Sequence, residues 1–77
     1  MNDMELARIV TSLLDRPVAF MTDQQLALWL KGCQAMERKV GSAKARQNWA
    51  HNRMEAEAEH RRREAIDAED HAERAQR

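Results

Sequence analysis

After Ser42 the chain runs to Arg77 without a glycine or a proline, and alanine, glutamate and arginine fill most of this stretch. These three residue types are strong helix formers, whereas glycine and proline are the residues that end helices. Before Ser42 the only such breakers are Pro17, Gly32 and Gly41, and aromatic residues, which favour strands, make up only 4% of the chain. The sequence therefore predicts an all-α protein made of a few long helices.

The first predicted helix runs from about Asp3 to Asp15. Asn2 is a good N-cap residue, and the carboxylate of Glu5 follows three positions later, as in a capping box. Proline cannot continue a helix, so Pro17 indicates a turn after Asp15. Apolar residues recur in this range at the spacing of one helix face: Leu6, Ile9, Val10, Leu13 and Leu14.

The second predicted helix runs from about Asp23 to Val40. Thr22 and Gln25 form a capping box at its start, and Met21 and Leu26 occupy the positions of a hydrophobic staple. The helix carries one apolar stripe: Leu26, Trp29, Leu30, Cys33, Met36 and Val40. Because this stripe can face that of the first helix, residues 1–40 are predicted to form a helical hairpin with an apolar core.

A third predicted helix begins at about Ala43 and continues to Arg77. Gly41 and Ser42 fit either a break between two helices or a bend in one long helix. At 1.5 Å per residue the helix would be about 50 Å long. Residues 41–77 are therefore predicted to form a long charged helix, frayed towards its C-terminal end until a partner binds. Four i,i+4 ion pairs are expected along it: Glu57–Arg61, Glu59–Arg63, Asp70–Arg74 and Glu73–Arg77.

The third helix also carries an a/d-type seam of mostly small residues. Alanine at these positions allows two helices to approach closely but buries little apolar area. The pattern predicts a coiled coil that is marginal without further contacts. Its members alternate at intervals of four and three: Met54, Ala58, Arg61, Ala65, Ala68, Ala72 and Ala75.

A chain of 77 residues has a small core and usually needs a disulfide, a metal or a second chain for stability. Cys33 is the only cysteine, so no disulfide can form within the chain. We therefore expect a homodimer. A lone thiol also fits the reducing cytoplasm, and we expect neither a secretory signal nor a membrane span, because the chain has no long apolar run.

The formal net charge of zero conceals three blocks of opposite charge. Residues 1–30 have a net charge of −2, residues 31–54 of +5 and residues 55–77 of −3. A basic middle between acidic ends indicates neutralisation within the chain, or between antiparallel chains, before it indicates a nucleic-acid-binding tail.

The basic segment at residues 38–53 is the candidate binding surface. Its predicted contact residues are Lys39, Lys44, Arg46, Trp49 and Arg53, which would meet an acidic protein surface. The same segment also fits a solvated linker that balances the acidic C-terminal helix, or a site for nucleic-acid phosphates. Trp49 fits two positions, an exposed contact or a core position against the second helix.

No catalytic, metal or cofactor site is predicted. His51, His60 and His71 do not have the i,i+4 spacing of a helical metal site, and the sequence has no phosphate loop or nucleophile motif. The pairs His60–Glu64 and Asp67–His71 have that spacing but are expected to be solvent-exposed contacts. Cys33 lies on an apolar stripe, where a thiol acts as a small hydrophobe.

In its small size, high helix content, Met-rich start and lack of catalytic motifs, the chain resembles the short accessory proteins of bacteriophages, including anti-CRISPR and anti-regulator proteins. The resemblance implies a non-catalytic protein that binds another protein and inhibits or regulates it. Two alternatives remain open, a small nucleic-acid-binding regulator that uses residues 38–53 and a structural or assembly subunit.

Overall fold

The computed structural model describes the backbone of residues 2–75 and the side chains of residues 2–68. In this range the protein is all-helical, as predicted. The helices are α1 (Asp3–Leu13), α2 (Asp23–Lys39) and α3 (Ala43–Ala75), and a single 3₁₀ turn, Val18–Phe20, lies between α1 and α2.

Each helix begins at a side-chain cap that the sequence indicates. Asn2 Oδ1 accepts a 2.8 Å hydrogen bond from the Glu5 amide. The Thr22 capping box is complete, since the Gln25 amide donates to Thr22 Oγ1 at 3.1 Å and the Thr22 amide donates to Gln25 Oε1 at 3.0 Å. Ser42 caps α3 by accepting from the Ala45 amide at 3.1 Å. These bonds satisfy amides that have no partner within the helices themselves.

The connections are tighter than the sequence indicates. α1 ends two residues before the predicted boundary at Asp15, and the Arg16 amide then bonds to the Leu13 carbonyl at 3.0 Å. Pro17 is extended and precedes the 3₁₀ turn, which was not predicted. Val40 is also extended, with φ −69° and ψ 141°, so Gly41 and Ser42 form a break between two helices and not a bend.

α1 and α2 pack against each other along their apolar stripes. Leu6, Val10 and Leu13 are buried together with Leu26 and the other core residues of α2. Gly32 lies where the helices are closest, because a Cβ atom at this position would be 3.3 Å from Val10 Cγ2. The missing side chain at Gly32 therefore permits this close approach.

α3 runs antiparallel to α2 and packs along it. Ala56 of α3 is completely buried within the core cluster, and Trp49 packs against the same cluster. The core therefore contains residues from both predicted ranges, 1–40 and 41–77. The predicted boundary at residue 40 is the end of α2. α3 continues past the start of α2, which accounts for the 53 Å long axis of a molecule that is only 23 Å by 20 Å across.

Candidate functional site

The structure separates the five predicted contact residues into two groups. Lys39, Lys44 and Arg46 surround the connection between α2 and α3 and are exposed to solvent. Trp49 and Arg53 are partly buried between the two helices. The five residues therefore do not form one continuous exposed surface.

The exposed group forms a basic corner, which we define as Arg38, Lys39, Lys44 and Arg46. Lys39 forms an ion pair with Asp3 at the start of α1. Arg46 Nη2 donates to the Val40 carbonyl at 3.4 Å, and Arg38 Nε donates to the Gln34 carbonyl at 3.3 Å. These bonds hold the guanidinium groups near the helix ends without neutralising their charge.

The sequence allows Trp49 to be either an exposed contact or a core residue, and in the structure it packs against the core. Its ring centroid is 6.0 Å from that of Trp29, and the two rings are tilted by 55°. Tilted aromatic pairs at this separation are favourable beyond the area they bury. Trp49 therefore packs α3 against α2 and stabilises the contact between the two helices.

Arg53 connects the same two helices through charge. Its Nε donates to Glu37 Oε2 at 2.6 Å, and its Nη1 donates to Glu57 Oε1 at 3.0 Å. The hydrogen bond that Arg53 donates to Glu37, followed by the one that it donates to Glu57, raises the pKa of Arg53. Glu57 is thereby engaged by Arg53, whereas the sequence predicts that it pairs with Arg61. The charge of Arg53 is balanced internally.

A second charged network lies further along α3, and the sequence predicts only one of its ion pairs, Glu59–Arg63. Glu59 is only 8% exposed, and its carboxylate binds Arg62 at 2.6 and 2.8 Å and Arg63 at 3.1 Å. The hydrogen bond from Arg62 is the main reason that the pKa of Glu59 is lowered to about 2, and the bond from Arg63 adds to it. The predicted Glu59–Arg63 pair is confirmed, but the contact is partly buried and not exposed.

Arg63 anchors α3 to the start of the hairpin's second helix. Its Nη1 binds Asp23 Oδ1 at 2.8 Å, and its Nη2 donates to the carbonyls of Val18 and Met21 at 3.1 and 2.7 Å. Trp49, Ala56 and Arg63 follow one another at intervals of seven residues. This heptad spacing is the sequence signal that could have identified the packed face of α3.

Several large apolar side chains remain on the surface. Phe20 in the 3₁₀ turn is 78% exposed and Met4 on α1 is 69% exposed. Three others are at least half exposed: Leu14, Met54 and Ile66. An open groove of about 420 Å³ lies between α1 and the end of α2, with Ala7, Val10 and Met36 among its apolar lining residues.

Among the described residues the one cysteine is buried, and each of the two histidines lies beside one glutamate. Cys33 is completely buried, and burial raises the pKa of its thiol to about 12. His60 Nε2 lies 3.0 Å from Glu64 Oε1 on the exposed side of α3, and His51 Nε2 lies 3.1 Å from Glu55 Oε1. Among residues 2–68 no three His, Cys, Asp or Glu side chains converge as metal ligands would. The pairs Asp70–Arg74 and Glu73–Arg77 lie outside the described side chains, and so does His71 of the pair Asp67–His71.

None of the described helices is both long enough and apolar enough to cross a bilayer. The chain matches no known protein family, no curated protein and no solved structure.

Proposed function

We propose that the protein is a non-catalytic protein-binding module that acts stoichiometrically as an inhibitor or regulator of another protein. The observation that carries this proposal is the number of large apolar side chains left on the surface of so small a chain, Phe20 and Met4 above all. Large exposed apolar side chains such as these are candidate contacts for another macromolecule where they form a continuous patch. The resemblance to phage accessory proteins supports an inhibitory role.

The basic corner supplies the charged part of the proposed interface. Lys44 and Arg46 are exposed and would contact an acidic surface of the partner, with Lys39 beside them. The proposed site also includes Trp49 and Arg53. These two residues hold α3 against α2 and so support the basic corner. Charged residues at such a rim guide association and orientation more than they add affinity.

The proposal is tested by capturing a partner from a bacterial lysate and titrating charge-reversed variants against it by calorimetry. The double variant Lys44→Glu, Arg46→Glu should weaken binding by about tenfold or more, roughly 1.4 kcal/mol, while its circular dichroism spectrum stays unchanged. Lys31→Glu is the matched control, because Lys31 is an exposed cation on α2 outside the basic corner. Equal affinities of the wild type, the double variant and Lys31→Glu for the partner would contradict a role for the basic corner.

A second candidate function, a nucleic-acid-binding regulator, is favoured by the same basic corner. Phosphate contacts release counterions, so such binding falls steeply as salt rises, whereas a largely apolar protein interface changes little. Duplex DNA should be titrated at low and physiological salt alongside the protein partner. DNA binding that persists at physiological salt, with no captured protein, would replace the first proposal with this one.

Two further parts of the proposal concern assembly and location. We also propose that the protein is a homodimer, which is supported by exposed apolar residues on α1 and α3, such as Met4 and Met54. An assembly subunit would instead form larger oligomers in light scattering. A cytoplasmic location is supported by the free thiol of Cys33.

A further inference from the structure

We infer that the groove between α1 and the end of α2 binds a short amphipathic helix of a partner protein, and that the acidic end of this helix lies on the basic corner. This inference rests on the proposed function and deepens it, because it gives the chemistry of the segment that is bound. The groove supplies the apolar half of the contact, and the basic corner supplies the charged half.

The groove is apolar and about two helical turns long. Its lining residues on α1 extend from Asp3 to Thr11, which corresponds to about 12 Å at 1.5 Å per residue. Ala7 leaves the groove open because its side chain ends at Cβ, and the half-buried Met36 lines the α2 side. Methionine is flexible and adapts its shape to apolar partners. A short helix with apolar side chains along one face fits such a groove.

One end of the groove is continuous with the basic corner. Lys39 and Val40 line the groove, and the Val40 carbonyl also accepts the hydrogen bond from Arg46 Nη2. Lys44 lies on the same helix start as Arg46, two positions earlier. A helix that occupies the whole groove therefore ends beside these cations.

Most of the charge of the basic corner is not neutralised within the described part of the chain. Among residues 2–68, the corner makes one ion pair, from Lys39 to Asp3. Arg38 and Arg46 donate instead to backbone carbonyls, which carry no net charge. Carboxylates of a partner would therefore meet cations that no carboxylate of residues 2–68 engages.

The positions of Lys44 and Arg46 are electrostatically unfavourable for α3 itself. The amides at the start of a helix carry partial positive charge, which favours acidic side chains there and disfavours basic ones. The first turn of α3 nevertheless contains no acidic residue, and Lys44 and Arg46 lie in and beside it. By contrast, Arg38 and Lys39 lie in the last turn of α2, where cations are favourable. Carboxylates from outside the chain would relieve the repulsion at the start of α3, so the corner fits an acidic occupant.

The groove and the corner together define the occupant. Its apolar side chains recur at helical spacing, i, i+4 and i+7, and enter the groove. Its carboxylates lie in its own first turn, where they also stabilise the partner's helix. In this chain α1 has a similar pattern, but its residues Leu6, Val10 and Leu13 are buried in the core. The α1 helix of a second copy is therefore already used, and the occupant is a segment of a different protein.

A synthetic peptide of this design tests the inference. It carries glutamates in its first turn and leucines at i, i+4 and i+7, and it is titrated into protein labelled at the methionine methyl groups for NMR. The Met36 resonance should shift, whereas that of the exposed Met54 on α3 should not. Peptides with the leucines changed to glutamine, or with the glutamates changed to lysine, should each bind at least tenfold more weakly. An unshifted Met36 resonance, or equal binding of the three peptides, would overturn the inference.

Variants of the protein locate the contact from the other side. Ala7→Phe fills the groove and should weaken peptide binding at least tenfold, whereas the matched control Ala58→Phe, at an exposed alanine of α3, should not. The double variant Lys44→Glu, Arg46→Glu should also weaken it at least tenfold. Circular dichroism verifies that each variant is folded. Unchanged affinity in Ala7→Phe would overturn the inference. A Met36 resonance that shifts with protein concentration alone would also overturn it, because a second copy would then occupy the groove.

The outcomes separate the groove from the proposed function. If no peptide shifts Met36, but the captured partner loses affinity for the Lys44→Glu, Arg46→Glu variant, the proposed function stands and the groove is not its apolar half. If the peptide binds in the groove, but the captured partner binds the double variant as tightly as the wild type, the proposed role of the basic corner in that complex is contradicted instead.

Discussion

Truncating Trp49 to alanine tests whether α3 is packed on α2. Complete removal of a buried tryptophan side chain typically destabilises a protein by about 3–5 kcal/mol. Trp49 is only partly buried, so we expect the free energy of unfolding to fall by about 2 kcal/mol, part of which is the lost contact with Trp29.

The expected change in melting temperature follows from the size of the chain. An unfolding entropy of about 2.1 cal/mol/K per residue corresponds to about 0.16 kcal/mol/K for 77 residues. A loss of 2 kcal/mol should therefore lower Tm by about 12 °C. Far-UV circular dichroism measures Tm, and the near-UV spectrum reports the loss of the ordered tryptophan pair.

Two variants control this experiment. Trp49→Phe keeps an aromatic ring against Trp29 and should lose much less stability, while Lys44→Ala, on the exposed side of the same helix, should leave Tm unchanged. An unchanged Tm in Trp49→Ala would refute the packing of α3 on α2. It would instead indicate that Trp49 is an exposed contact residue, which is the other position that the sequence allows.

Three other predictions follow from buried groups. Leu26 is 2% exposed, so Leu26→Ala should reduce the free energy of unfolding by about 3 kcal/mol in chemical denaturation, whereas Leu14→Ala at an exposed position should cost less than about 1 kcal/mol. The pKa of Glu59 falls from 4.5 to about 2 on folding, so its contribution to stability is present above about pH 5 and is lost as the pH falls towards 2. Thermal melts across this range should show that Tm declines in the wild type and equally in the control Glu64→Gln, but less in Glu59→Gln. An equal decline of Tm in all three proteins would refute the role of Glu59. Cys33 should react with a thiol reagent only when denaturant unfolds the chain, and rapid labelling of the native protein would show that the core is open there.

The local structure of this protein is determined by residues that are close together in the sequence. The caps at Asn2, Thr22 and Ser42 involve partners three positions away, so they can be recognised without knowing the fold. The apolar stripes of α1 and α2 are equally local. Most of their residues lie in or against the core, whereas Leu14, which the sequence places on the α1 stripe, is 54% exposed. The sequence also indicates the breaks at Pro17 and Gly41, although it does not distinguish a break from a bend at the second.

The tertiary structure alone decides what the polar residues of α3 do. Arg63 is adjacent to other arginines in a charged stretch, and only the folded chain brings it to the carbonyls of Val18 and Met21, more than forty positions earlier. Likewise Arg53 is balanced by Glu37, a residue of another helix. A charged side chain has the same local pattern whether it is solvated or paired across helices, because the partner's distance depends on packing and not on spacing along the chain. For this reason the sequence identifies the basic segment, while the fold determines that Lys44 and Arg46 face solvent and that Trp49 and Arg53 hold the helices together.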